Sequence, residues 1–314
     1  MRYIKDLQEG MAVREIYYCK QKNLTVTKNG KEYWTVILQD KTGIIEAKVW
    51  EINSPSIVDF ESGDFIHIYG EVITFNGVLQ VRINQSNPAE EGEYNTADYF
   101  PESPFDIEEM WKELTQMMDS VKNPYLNGLL KKIFIEDTEL AERFKINSAA
   151  KSVHHGFIGG LLQHTLSVAK NCDYMAERYP VLNRDLLITA ALLHDLGKTK
   201  ELSAFPENDY TDEGNLLGHI VIGAQMVDAA ANTIPDFPKT LKAELEHCIL
   251  AHHGKLEFGS PKVPALVEAV ALNFADDMDA KLEIFTEIAQ RSSSKEWQGY
   301  NRLFDSNIRL TKGE

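Results

Sequence analysis

The sequence predicts a multidomain chain, with a β-barrel followed by an all-α domain. Residues 11–85 alternate apolar and polar side chains between short turns, which is typical of β-strands. From residue 106 onward, apolar residues recur at spacings of three and four, which is typical of amphipathic helices. The segment between them is polar and rich in Pro, Glu and Asn, which indicates a linker. We therefore expect a barrel domain in residues 1–88, a linker in 89–105 and a helical domain in 106–290.

Four strands stand out in the first domain. They occupy residues 32–40, 43–51, 64–75 and 78–84. A KT turn that leads into Gly43 joins the first pair, and an NG turn joins the second pair. Four or five short strands with tight turns indicate a small barrel. The stretch YWTVILQDKTGIIEAKVW resembles an OB-fold of the nucleic-acid-binding kind.

Helices dominate the second domain. The apolar spacing predicts them at residues 106–120, 123–134, 137–145, 160–178, 184–197, 216–231, 239–253 and 263–290. Residues 291–314 form a tail in which Trp297, Tyr300 and Phe304 lie at helical offsets. We expect this tail to be a docking helix or an oligomer contact, so a homo-oligomer is left open.

The composition limits the classes of partner. The formal net charge of −16 excludes electrostatic binding of nucleic acid over the whole protein surface. Any contact with nucleic acid must therefore be local or mediated by bound cations. The sequence contains no run of about 18 apolar residues, and its start, MRYIKDLQEGMAV, lacks an apolar signal core. We therefore expect a cytoplasmic protein with no membrane partner. Its three scattered cysteines are expected to be reduced.

Histidine clustering is the strongest chemical signal. Eight of the nine histidines lie between residues 154 and 253. On five predicted helices, a polar group shares the apolar stripe that faces the core. These groups are His164, His194, His219, His252 and Asp276.

A single histidine on an apolar face is usually a structural core residue that satisfies its own hydrogen bonds. Five such groups on separate helices would together carry a large desolvation cost. A shared cation removes that cost, because imidazole and carboxylate groups are its usual ligands. The pattern therefore favours a metal site in the core of the helical domain.

The order of these residues resembles the HD superfamily of metal-dependent phosphohydrolases. The pattern H…HD…H…HH…D stands within GGLLQHTLSV, LLHDLGK, GHI, LAHHG and NFADDMDAK, roughly residues 150–280. Together with the OB-like module and the stretch KSVHHGFIGGLLQHT, it makes the chain similar over nearly its whole length to the YhaM family of bacterial 3′-5′ exoribonucleases.

The resemblance implies a metal ion held by His164, His194, Asp195 and Asp276, and many HD enzymes hold only this one. Because the further histidines are present, we favour two ions, with Asp195 bridging to a second ion on His219 and His252. His253 is a further ligand or faces the substrate. The resemblance favours manganese, and the mixed nitrogen and oxygen ligands also suit Fe, Co or Zn.

Other residues near the motif have two interpretations each. The resemblance gives Lys198 a catalytic role with Asp195, on the scissile phosphate, whereas a lysine at the end of a helix is otherwise a solvated residue. His154 and His155 either contact the substrate or are neutral loop residues. In the barrel, Tyr33, Lys48 and Trp50 are candidates for binding nucleic acid by base stacking and charge. The alternative is that Tyr33 and Trp50 pack against the helical domain.

The resulting hypothesis is a metal-dependent 3′-5′ exonuclease that acts on single-stranded RNA, with single-stranded DNA as a second substrate left open. One alternative is an HD phosphohydrolase for nucleotides or cyclic dinucleotides, in which the OB module is regulatory. Another is a nucleic-acid-binding regulator with a vestigial HD core. The complete ligand set argues against the regulator.

Overall fold

Five strands of the N-terminal unit close into a barrel in the order β1-β2-β3-β5-β4. In this computed structural model, which describes residues 1–27, 29–151, 156–205, 207–291 and 296–311, β3 and β5 pair in parallel and the other neighbours are antiparallel. The strands are β1 (Ala12–Val26), β2 (Glu32–Asp40), β3 (Gly43–Val49), β4 (Phe65–Phe75) and β5 (Val78–Pro88). The prediction of an OB-like barrel of four or five strands is confirmed, and the number of strands is five.

The barrel is filled by the apolar half of each alternating strand. Val36 and Leu38 on β2, Ala47 and Val49 on β3, and Ile66 on β4 are fully buried. Their neighbours in sequence point outward, because successive side chains of a strand lie on opposite faces. The outer face of β2 and β3 therefore carries the more polar residues, including the candidates for nucleic-acid binding.

The segment after the barrel differs from the expected polar linker. Tyr94 stacks on Phe65 with ring centroids 3.8 Å apart, and Tyr99 packs edge-on against the same ring. Tyr99 and Phe100 are buried. The contacts between residues accordingly assign Met1–Glu102, with Phe205–Glu207, to one unit and Ser103–Ala204, with Asn208–Glu314, to the other. Aromatic side chains within a polar segment thus hold most of it to the barrel.

The second unit is helical. Its helices are α1 (Ile107–Asp119), α2 (Pro124–Lys131), α3 (Thr138–Ile146), α4 (Gly160–Arg178), α5 (Arg184–Leu193), α6 (Lys198–Glu201), α7 (Asp212–Ala231), α8 (Lys239–Ala251) and α9 (Val267–Arg291), and a π-helix (Lys132–Glu136) follows α2. Side-chain N-caps stabilise the first turns of four helices. These caps are Asp106, Asn123, Asp137 and Asn183, which accept hydrogen bonds from backbone N–H groups of α1, α2, α3 and α5.

Helix α5 forms the centre of this unit. All of its residues from Leu186 to Leu193 are buried, which is typical of a helix surrounded by others. The predicted helix 184–197 is four residues too long, because α5 ends at Leu193 and residues 194–197 form a turn before α6 begins at Lys198. The break lies beside Gly197, where an added Cβ atom would stand 2.0 Å from the carbonyl oxygen of His219. The chain turns there because α7 approaches its backbone closely.

The tail also differs from the sequence prediction. Of the two alternatives, the docking helix is wrong, because the chain forms a hairpin of β6 (Trp297–Asn301) and β7 (Ser306–Arg309). The oligomer contact stays a prediction. Gly299 and Asp305 adopt positive φ angles within it, as a bulged hairpin with a tight turn requires. Phe304 contacts Phe285 of α9 with ring centroids 4.6 Å apart. Among the described residues, no helix is long and apolar enough to cross a membrane.

Candidate metal centre

The helical unit brings the predicted inward-facing residues together. His164 lies on α4, His194 and Asp195 lie in the turn after α5, and His219 lies on α7. His252 and His253 follow the last residue of α8, and Asp276 lies on α9. Five separate segments therefore converge on one buried region. His154 and His155, the remaining candidates of this domain, lie outside the described residues.

The side chains form two clusters. The first cluster is His164, His194 and Asp276, and the second cluster is His219, His252 and His253. Within each cluster, one potential ligand atom from every residue lies within 4.8 Å of the others. Each cluster therefore has the ligand types and the spacing that suit a divalent metal ion.

Asp195 lies between the two clusters and faces both. Its Oδ2 atom is 3.4 Å from the Nε2 of His164 and 3.3 Å from the Nε2 of His194. Its Oδ1 atom is 3.4 Å from the Nε2 of His219 and 3.7 Å from the Nε2 of His252. One carboxylate thus offers an oxygen to each cluster, which is the geometry expected of a bridging ligand.

Backbone carbonyls orient three of the imidazoles. The Nδ1 atoms of His194, His252 and His253 lie 2.8, 2.6 and 2.8 Å from the carbonyl oxygens of Ala191, Ile249 and Phe258. A carbonyl oxygen can only accept a hydrogen bond, so each Nδ1 carries the proton and donates it. The Nε2 atom of each neutral ring then presents its lone pair, as a metal ligand must.

Carboxylates orient the other two imidazoles. The Nδ1 of His164 lies 2.7 Å from Oδ2 of Asp279, and the hydroxyl of Ser167 donates to Oδ1 of the same carboxylate. The Nδ1 of His219 lies 3.0 Å from Oε1 of Glu201, which also accepts the backbone N–H of His219 at 2.9 Å. Sequence reasoning missed these residues, although Asp279 and Ser167 lie one helical turn after Asp276 and His164.

Burial and charge shift the pKa values of the centre in opposite directions. Burial alone raises the pKa of Asp195, but the charge of Lys198 and the nearby His194 hold it well below its usual range. Burial lowers the pKa of His252, and the neighbouring His253 and His194 lower it further. Asp195 is therefore ionised and His252 is neutral, which are the protonation states that bind a metal.

The pKa of His164 is raised, whereas that of His252 is lowered. Burial lowers its pKa, but hydrogen bonds with Asp195, Asp276 and Asp279 outweigh burial and raise it well above the usual value. Its Nε2 also lies 3.3 Å from the Nε2 of His194. Two lone pairs at this distance repel each other, so a proton or a metal ion must stand between them. Metal binding at the first cluster would therefore displace a proton.

Unsatisfied atoms show that the residues fit a cation. In the described part of the chain, Oδ1 of Asp195 and the Nε2 atoms of His219 and His252 are buried without a hydrogen-bond partner. A buried polar group left in this state costs about 1–3 kcal/mol. All three atoms face the same space between Asp195 and the second cluster. A divalent ion bound there would satisfy all three together.

Lys198 completes the centre. Its Nζ atom lies 2.7 Å from Oδ2 of Asp195, and its side chain is only 11% exposed. It is the first residue of the four-residue α6, and its low exposure contradicts the alternative of a solvated lysine. Burial lowers its pKa, but the charge of Asp195 raises it above the usual value. The centre therefore holds a buried, permanent positive charge.

The three barrel candidates also lie together. The rings of Tyr33 and Trp50 stack with centroids 4.5 Å apart, and Trp50 remains 37% exposed. The Nζ atom of Lys48 lies 5.5 Å from the centroid of Tyr33 and forms an ion pair of 2.9 Å with Glu46. The aromatic pair presents an accessible face, whereas most of the charge of Lys48 is already balanced within the barrel.

Comparison with known proteins places both units. The model of the HD domain matches residues 161–281, a range that contains both clusters, and the model of an OB-fold nucleic acid binding domain matches residues 19–88. The 3′-5′ exoribonuclease YhaM of Bacillus subtilis (strain 168) is 35% identical over 290 residues, which are 92% of this chain and 91% of that protein. The chain belongs to the YhaM family. The YhaM protein of Bacillus velezensis, also named a 3′-5′ exoribonuclease, matches with the same identity and coverage.

The YhaM family assignment covers both units described above. The aligned 92% of the chain is too long to be explained by the HD domain or the barrel alone. The prediction of an OB-like barrel joined to an HD domain is therefore confirmed. The second OB-fold domain of replication protein A from Methanococcus maripaludis aligns with 30% of this chain and 98% of that chain, at 17% identity and a TM-score of 0.23.

Proposed function

We propose that this chain is a metal-dependent 3′-5′ exoribonuclease that hydrolyses the phosphodiester bonds of single-stranded RNA. The observation that carries the proposal is the carboxylate of Asp195, whose two oxygens face two clusters of neutral or ion-paired ligands. The names of the YhaM relatives support the direction and the substrate.

The ligand set supports two divalent ions. The first would be held by His164, His194 and Asp276, the second by His219, His252 and His253, and Asp195 would contact both. Bound divalent ions of this kind supply a water activated at neutral pH and positive charge for the phosphate oxygens. We favour manganese, and Fe, Co and Zn accept the same mixture of nitrogen and oxygen ligands.

Each remaining residue has a defined task. Lys198 keeps a positive charge beside Asp195 and would contact a phosphate oxygen as negative charge develops there. His253 is less buried than His252, so its ring lies on the side from which a strand would enter. The low local dielectric around these buried groups strengthens their interactions with the phosphate.

The barrel would hold the strand by base stacking. Bases stack on aromatic side chains whatever their sequence, with about 1–3 kcal/mol for each base. The exposed face of the Tyr33–Trp50 pair suits this task, and Lys48 supports the Tyr33 ring. The mode agrees with the net charge of −16, because stacking does not require a basic surface.

The experiment is a cleavage assay on one single-stranded RNA labelled at either end. With protein and Mn²⁺, the 5′-labelled strand should give a descending ladder, and the 3′-labelled strand should release labelled mononucleotide from the first time point. EDTA should abolish both reactions. Internal fragments from either strand, or release of mononucleotide from the 5′ end, would contradict the proposal.

A DNA strand of the same sequence tests the second substrate. The mass of the protein in solution, measured by light scattering, tests the homo-oligomer.

A further inference from the structure

Each of the two clusters contains one imidazole whose Nδ1 atom faces a carboxylate. In the first cluster it is His164, which faces Asp279, and in the second it is His219, which faces Glu201. The Nδ1 atoms of His194, His252 and His253 face backbone carbonyls instead. The two carboxylates lie on different helices, α9 and α6. They therefore have the arrangement of two independent supports, one for each cluster.

We propose that Asp279 and Glu201 are positioning residues that set the metal affinity of the first and the second cluster separately. A carboxylate that accepts the Nδ1–H of a histidine fixes the ring and makes its Nε2 a stronger ligand. Both carboxylates are well placed for this, since their side chains are only 12% and 11% exposed. Neither belongs to the ligand set proposed above.

Each carboxylate is itself held by a second donor. The hydroxyl of Ser167 donates to Oδ1 of Asp279, while Oδ2 accepts from His164. Glu201 accepts from the backbone N–H of His219 as well as from its ring. That second hydrogen bond depends on Gly218, whose φ of 74° breaks α7 directly before His219. The carboxylate of the first cluster is thus held by the side chain of Ser167. The carboxylate of the second cluster is held by a backbone N–H at the break in α7.

The test is an equilibrium titration of the metal-free full-length chain with Mn²⁺, followed by calorimetry and by the electron paramagnetic resonance of free Mn²⁺. The wild type should bind in two steps. Asp279→Asn should weaken one step by about 10- to 100-fold, and Glu201→Gln should weaken the other by a similar factor. Both substitutions keep the shape of the side chain, and circular dichroism checks that each variant folds.

Three further variants sharpen the titration. The double variant should weaken both steps, because each substitution removes the carboxylate that supports a different cluster. Ser167→Ala should weaken the same step as Asp279→Asn, but less, since it acts through Asp279. Asp277→Asn is the matched control, because Asp277 lies on the same helix, is exposed and pairs with Lys281. It should leave both steps unchanged.

The inference is overturned if Asp279→Asn and Glu201→Gln weaken the same step, weaken both steps equally, or change the affinity for Mn²⁺ no more than Asp277→Asn does. The inference rests on the metal-dependent function proposed above, but the titration measures binding alone. A chain that binds Mn²⁺ in two separately tunable steps and fails to shorten RNA would refute only the exoribonuclease.

Discussion

The Nζ atom of Lys198 lies 2.7 Å from Oδ2 of Asp195, with both side chains almost fully buried. Isolated charges are costly inside a protein, and removing one partner of such a pair typically costs about 3–5 kcal/mol. The other oxygen of Asp195 faces the Nε2 atoms of His219 and His252. We propose that the pair is part of the reaction centre rather than a source of stability.

Replacing Lys198 should slow the reaction at the chemical step. Lys198→Gln removes the cation that faces developing negative charge, and we expect kcat for RNA hydrolysis to fall by about 100-fold or more. Lys200→Gln is the matched control, because Lys200 lies on the same short helix and is exposed. Steady-state kinetics on a short RNA measures both. Similar rates in the two variants would contradict the role of Lys198.

Replacing Trp50 should weaken RNA binding without changing the chemistry. Trp50→Ala removes the exposed stacking face, so affinity for a long single strand should fall by about 1–3 kcal/mol for each base that stacks there. Trp50→Phe keeps a ring and should retain most of the affinity. Fluorescence anisotropy in EDTA measures binding, and a small chromogenic diester measures chemistry. Equal loss on both substrates would instead indicate a packing role for Trp50.

Two glycines of the helical unit should respond oppositely to alanine. A Cβ atom at Gly197 would stand 2.0 Å from the carbonyl oxygen of His219, so Gly197→Ala should destabilise the chain by about 1–3 kcal/mol or more. Gly128 lies within α2 with open space around its Cβ position, so Gly128→Ala should stabilise it by about 0.5–1 kcal/mol. Urea denaturation followed by circular dichroism measures both. An unchanged stability of Gly197→Ala would show that the turn at Gly197 is not in close contact with α7.

Glu246 should make the chain less stable as the pH rises. Burial and the neighbouring Asp228 raise its pKa in the folded state. The folded chain then binds more protons than the unfolded one, so stability falls as the pH rises from the unfolded towards the folded pKa. Glu246→Gln removes this loss and should raise the melting temperature at pH 7.5 by about 1–3 °C.

The matched measurement for Glu246 is the same melt at pH 4. There the wild-type carboxyl is largely protonated and resembles the amide, so wild type and Glu246→Gln should melt at nearly the same temperature. A difference between the two proteins that is equal at pH 4 and pH 7.5 would show that the carboxyl does not titrate in this way.

The spacing of apolar residues predicted much of the architecture, because it shows which face of each strand or helix is buried. Alternation located the barrel strands, and offsets of three and four placed His164 and Asp276 on inward faces. The same rule failed for residues 297–309, because Trp297, Tyr300 and Phe304 fit a helical period over too few residues to exclude a hairpin. It also missed the turn at Gly197, which is set by the approach of a distant helix.

The carboxylates that support His164 and His219 could not be predicted from the sequence, for a different reason. Asp279 and Glu201 stand among many acidic residues of an acidic chain, and their own helices do not show which of these carboxylates meets an imidazole. Only the crossing of α4 with α9 and of α6 with α7 selects them. In contrast, the bridging position of Asp195 followed from the resemblance to HD phosphohydrolases, because the motif places it next to His194.

A crystal of the chain grown with Mn²⁺ and measured at the manganese absorption edge would locate the bound ions. We expect two anomalous peaks, one among His164, His194 and Asp276 and one among His219, His252 and His253, each in contact with a different oxygen of Asp195. Clusters without a peak in either position, or manganese bound only elsewhere on the chain, would show that the two clusters do not form a metal centre.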